Sequence, residues 1–156
     1  MDISLQFSQA CIDLICTSEG FVAHPYPDPG SGAEPYTIGY GTTVYCNGIK
    51  VTMDDTPISQ SDAQAALLCH LNSSVLPCLH AHVTSDINQN QLDALGSFVY
   101  NIGCSNFKSS TVLREVNIDP SNIAIHDAFA MWTKASGHVL QGLVIRRNHE
   151  SLLYFS

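Results

Sequence analysis

Residues 18–43 read SEGFVAHPYPDPGSGAEPYTIGYGTT, and this stretch decides how the rest of the chain must be arranged. Ahead of it, Phe7, Ala10, Cys11, Leu14 and Ile15 recur at helical spacing and predict one buried helix stripe. Gly20 suits a helix C-cap, so Glu19 is expected at the helix end, beside whatever the next loop builds. Pro25, Pro27, Pro29 and Pro35, with Gly30 and Gly32, forbid a helix and mark turns. Next, Tyr36, Ile38 and Tyr40 alternate with Thr37, Gly39 and Gly41, which predicts a strand with one bulky face and one thin one. Glycine on a strand face often marks a place where another group approaches the backbone. Cys46-Asn47-Gly48 then supplies a hairpin turn, with residues 49–53 as the return strand.

Beyond this region the chain reads as helices. Ser59 with Asp62 resembles a capping box and predicts a helix to about Leu76, ended near Pro77. Asn88 with Gln91 repeats the pattern before a strongly apolar, buried helix. Ser109 or Ser110 can cap a short helix to Val116, and Asp119-Pro120 is expected to open another carrying Ile123, Phe129 and Trp132. Residues 142–155 form the last. The expected fold is α+β: an N-terminal helix, a small antiparallel β-sheet, then a mainly helical lobe. With 156 residues, of which 45% are hydrophobic, one domain over 1–156 can bury its own core. Its helix end and β-subdomain are expected over about 1–57 and its helical lobe over about 58–156.

Composition narrows the partners. The net charge is −8, and residues 1–78 carry 8 acids against one base, Lys50, leaving five of the 6 bases in the second half. Without a basic face, nucleic acid and anionic membrane surfaces are both excluded as natural partners. The N-terminus lacks a positive start, an unbroken apolar run and a cleavage site, so neither an export signal nor membrane insertion is expected. The six cysteines form no paired C-x-x-C units and mostly lie in apolar stretches, which predicts mainly free thiols. His80 and His82 beside Cys78 lack a second ligand group at matching spacing, so no metal is expected. No cofactor motif is present.

The chemistry concentrates where the fold is decided. Glu19, Asp28 and Glu34 surround a sharp turn next to the glycine-lined strand. A carboxyl at a helix end facing a second across a cleft is the apparatus of glycoside hydrolysis. On spacing alone the favoured reading is the plainer one, Asp28 as a turn former and Glu19 as a solvated helix end.

SEGF followed by PYPDPGSGAEPYTIGYGTT resembles the active-site segment of phage endolysins of the T4-like lysozyme family, glycoside hydrolase family 24. The likeness continues through NQNQLDALGSFVYNIG, FKSSTVLREVN and WTKASGHVLQGLVIRR, in order and over nearly the whole chain. The resemblance implies a lysozyme-like fold with Glu19 as general acid, and partial burial and the acidic neighbourhood are expected to keep it protonated. Asp28 would be ionised and, with Thr37, would position a water for an inverting reaction. Glu34 is the alternative second carboxyl. Tyr100, Asn101, Ser110 and His126 match cleft positions, and Arg146 or Arg147 could pair with Glu19 or hold a peptide carboxylate. Thr42 stands where many relatives have His, and Asn148 departs from their C-terminal pattern. Trp132 is most simply a core anchor.

The implied activity is a muramidase cleaving the β-1,4 bond between N-acetylmuramic acid and N-acetylglucosamine of peptidoglycan, without cofactor, as a monomer. The implied setting is a lysis enzyme held in the host bacterial cytoplasm, then crossing a holin pore to act on the wall from the periplasm. The alternatives are a chitin- or chitosan-cleaving relative and a non-catalytic saccharide-binding protein.

Overall fold

The computed structural model describes residues 4–27, 31–135 and 137–156. Helix α1 (Gln9–Glu19) starts at Ser8, whose side chain accepts from Ala10 N, and stops at Gly20. It buries Cys11 and Ile15, and Phe7 just ahead of it is also buried. Strand β1 (Val22–Tyr26) pairs antiparallel with β2 (Thr37–Gly39), Val22 opposite Gly39 and Tyr26 opposite Thr37.

The predicted strand is shorter than its alternation suggested. After Gly39 the chain folds back, and Ile38 and Thr42 exchange backbone hydrogen bonds at 2.9 and 3.0 Å. Positive φ at Gly39 (67°), the last residue of β2, and at Gly41 (102°) ends the strand there. The two glycines therefore do not share one thin face. A Cβ on Gly39 would lie 2.9 Å from Cβ of Ala63, so this glycine admits a helix. The turn at Gly48 forms, but its return leg is a single bridge between Val44 and Lys50.

Helix α2 (Gln60–His70) opens on Ser59, whose hydroxyl accepts from Asp62 N. Pro77 does not end the helical run. A π-helical turn over Leu71–Val75 intervenes and α3 (Leu76–His82) follows, with Pro77 in its first turn. Proline lacks only a donor there, and the wider turn makes room for its ring; Leu76 N reaches back to Leu71 O across the turn.

Helix α4 (Gln89–Lys108) begins with the capping box of Asn88 and Gln91 and breaks helical geometry at Gly103. Ser110 caps α5 (Thr111–Ile118). Asp119-Pro120 forms a turn instead of a helix start, because Asp119 Oδ1 accepts from Ser121 N and Oγ; α6 (Ala124–Ala130) opens later. A short hairpin, β3 (Lys134–Ala135) and β4 (His138–Val139), leads into α7 (Gln141–Tyr154).

The core gathers around α4, with Leu92, Leu95, Phe98 and Phe107 fully buried among side chains of α1, α2, α3, α5, α6 and α7. Trp132 packs edge-on to Phe98, with ring centroids 5.9 Å apart, as a partly buried anchor at the core's edge. Four of the six cysteines are paired, which corrects the expectation of free thiols. Cys46–Cys69 joins the Gly48 hairpin to α2, and Cys78–Cys104 joins α3 to α4, each with Cα atoms 6.0 Å apart. Cys11 and Cys16 are free. Among the described residues, no helix is long and apolar enough to cross a membrane.

Candidate active site

Glu19 is placed by the end of α1, where Gly20 N closes the last turn onto Cys16 O at 3.1 Å. Its side chain is 27% exposed and opens onto a cavity of about 370 Å³. Gly41, Thr42, Thr43, Val44, His70, Tyr100 and Asn101 form the rest of the wall. The cation closest to Glu19 comes from 127 residues away: Arg146 Nη1 donates to Glu19 Oε1 at 2.5 Å. Contrary to the expected acidic surround, the immediate partner of this carboxyl is thus a guanidinium.

Arg146 is itself fixed. Its Nε donates to Glu150 Oε1 at 3.1 Å and its Nη2 to Ser97 O at 3.1 Å, with only 4% of the side chain exposed. Glu150, fully buried, also accepts from Ser97 Oγ at 2.7 Å and Arg147 Nη2 at 3.0 Å. Burial pushes the Glu150 carboxyl up from its ordinary range while Arg147 and Arg146 pull it down. Burial also lowers the Arg147 guanidinium to about 10, against the opposing pull of Glu150. Arg147 lies 4.9 Å from the Phe98 ring centroid and donates to Asn101 Oδ1 at 2.9 Å. One buried carboxylate thereby orients two arginines, one toward Glu19 and one toward Asn101.

Tyr100 is held by its hydroxyl, which donates to Tyr40 O at 2.7 Å. Burial, reinforced by the charge of Glu19, raises this phenol well above its ordinary value. A Cβ on Gly41 would stand 3.0 Å from that hydroxyl and 4.0 Å from Glu19 Oε2, so Gly41 keeps the space between them open. The expectation of a glycine facing the cleft holds for Gly41 alone.

The expected site residues are only partly brought together. Glu19, Tyr100 and Asn101 line one cavity, and Arg146, not Arg147, pairs with Glu19. Thr37 stands at the start of β2 opposite Tyr26 and is not among the residues lining that cavity. Asp28 lies outside the described residues. Glu34 lines an adjoining cavity of about 290 Å³ with Tyr36, Thr43, Val44 and Lys50. Ser110 is 5% exposed and its hydroxyl is occupied in capping α5, accepting from Leu113 N at 3.1 Å. His126 is exposed on α6 and bonds Asp127 Oδ1 at 3.0 Å. Neither is among the residues lining the Glu19 cavity.

His70 was not anticipated. It ends α2, and its ring stands edge-on to Tyr100 with centroids 5.6 Å apart. Partial burial there lowers its pKa from the ordinary 6.5. The two cavities share Thr43 and Val44, and a third of about 360 Å³ shares Val44 and His70. Through these shared residues the three cavities adjoin one another as one open groove.

The family described as phage lysozyme matches residues 16–150. The chain is 36% identical to an endolysin of Bacillus phage PZA over 97% of its own length and 56% of that protein's. It thus spans about half the length of that relative. It is 38% identical to the endolysin of Salmonella phage P22, covering 77% of this chain and 80% of the other. A crystal structure of a P22 lysozyme mutant superposes with a TM-score of 0.83 at 33% identity, over 97% of this chain and 99% of that one.

Proposed function

Because the chain belongs to the phage lysozyme family, we propose that it is a muramidase hydrolysing the β-1,4 bond between N-acetylmuramic acid and N-acetylglucosamine in peptidoglycan. The observation that carries this reading is Glu19, at a helix end in an open groove, with Oε1 bound to Arg146. Oε2, on the Gly41 side, is left to carry the proton that goes to the leaving oxygen. As the glycosidic bond breaks, Glu19 becomes a carboxylate and the guanidinium already in place offsets its charge.

In this reading Asp28 is the second carboxyl. With the Thr37 hydroxyl it holds a water on the opposite face of the sugar and takes that water's proton, inverting the anomeric centre. Tyr100 and Asn101 shape the saccharide floor. No cofactor takes part. The enzyme works as a monomer, accumulates in the host bacterial cytoplasm and reaches the wall through a holin pore.

A murein zymogram with wild type and Glu19→Gln tests the reading. Wild type should clear the gel and release reducing ends, while the variant keeps its circular dichroism and loses clearing. Near-normal clearing by the variant would overturn the role of Glu19. Product analysis separates the remaining chemistry: α-anomers support inversion, β-anomers a covalent intermediate, and 1,6-anhydro ends transglycosylation without water. Reducing ends from chitin but not murein would replace the substrate.

A further inference from the structure

The fold assembles a second chemical cluster from residues that do not line the groove. Among the described residues, one group of three metal-ligating side chains converges: Cys78, His82 and Cys104, whose ligand atoms all lie within 4.8 Å of one another. Cys78 and His82 sit four residues apart on α3 and so share a helix face. Cys104 arrives from α4, directly after the break at Gly103. The end of α3 is pinned, since Asn117 Nδ2 donates to His82 O at 2.9 Å and Asn117 Oδ1 accepts from Thr84 N at 2.8 Å. Cys78 is buried and the other two are partly exposed, which leaves one side of the cluster open to water.

We propose that the reduced protein binds one soft divalent cation, zinc above all, through Cys78 Sγ, Cys104 Sγ and a ring nitrogen of His82. Two thiolates and a neutral imidazole are a preferred zinc set, and a solvent molecule fills the fourth tetrahedral position. A Zn–S bond of about 2.3 Å sets the two sulfurs about 3.8 Å apart. Turning the two side chains about their Cα–Cβ bonds suffices, because the Cα atoms already stand 6.0 Å apart. Two thiolates cancel the charge of the ion, as a half-buried site requires.

The disulfide and the metal are alternative states of the same two sulfurs. A thiol reductant supplies two electrons and two protons to open Cys78–Cys104. Zinc then displaces both thiol protons. Transfer of two electrons from the thiolates to a disulfide oxidant restores the bond and releases the ion. The site therefore couples metal occupancy to redox state, independently of the hydrolase reading.

The test is titration of phosphine-reduced, desalted protein under argon with cobalt chloride, then zinc chloride. One equivalent of cobalt with thiolate-to-metal charge-transfer absorption, displaced by zinc and absent from oxidised protein, is the expected result. A Cys46→Ser/Cys69→Ser variant should retain full uptake, and His82→Gln should weaken it at least tenfold. His82 is partly exposed at a helix end, so this variant keeps the test readable if cysteine replacement impairs folding. No stoichiometric uptake by the reduced protein would overturn the proposal. So would uptake that persists in Cys78→Ser/Cys104→Ser, or that is unchanged in His82→Gln.

Discussion

Arg146 is the side chain that holds the Glu19 carboxyl. Its guanidinium serves Glu19, Ser97 and Glu150 at once, a fan of donors that an ammonium cannot reproduce. Arg146→Met should therefore cost about 3–5 kcal/mol of stability, because it strands part of the charge on Glu150, and urea denaturation measures it. Retention of wild-type stability would show the network to be dispensable. His70 acts more gently. With its pKa lowered in the fold, protons bind the unfolded chain first, so its contribution is complete above about pH 6.5 and erodes as pH falls below it. His70→Gln should flatten the acid side of the Tm–pH profile between about pH 5 and 7 and raise KM for murein severalfold. An unchanged profile and KM would make His70 a bystander. The placement of Glu19 at a capped helix end and of Tyr100 on a strongly apolar helix was legible in local patterns that resemble those of a known family. The sequence left Arg146 and Arg147 both open as partners of Glu19. His70 had no local signal: nothing in HLNSSV tells that its ring will meet Tyr100 across the groove.

Elements form here because short-range chemistry and packing agree, and they surprise where the two part. Ser59, Asn88, Ser110 and Gly20 each mark a helix boundary by a bond their own side chain or backbone makes within a few residues, so a reader of the chain alone can find them. Pro77 misleads, because a π turn in the preceding residues absorbs what a regular helix could not. Disulfide pairing across 23 and 26 residues is equally invisible, since it depends on which helices meet. Each bridge closes a loop for which chain entropy predicts about 3 kcal/mol, so Cys46→Ser/Cys69→Ser should lower the urea midpoint. An unchanged midpoint would deny the bridge a stabilising part. Close packing between α1 and α4 makes a sharper case. A Cβ on Gly96 would stand 2.3 Å from Phe7 Cε1 and 3.0 Å from Cys11 Sγ. Gly96→Ala should cost about 1–3 kcal/mol by forcing the helices apart, and full stability in the variant would refute that tightness.

At the scale of the whole molecule, the charge of −8 sits badly with the anionic wall proposed as the substrate. Like-charge repulsion slows encounter and is screened by salt, so clearing should rise with moderate ionic strength. A steep loss on adding salt would contradict this. The fold also imposes an order in time. Glu19 emerges early during synthesis, but its guanidinium partner follows 127 residues later. At about 5–20 residues per second, roughly 6–25 s pass before Arg146 even exists. Until α7 docks against α4, the acid has no cation behind it and Asn101 has no arginine at its side. A ribosome-bound chain therefore carries an unassembled groove until α7 has been made and docked. On the proposed reading, a chain cut within α7 ahead of Arg146 lacks the guanidinium behind Glu19 and should give no clearing in a murein zymogram.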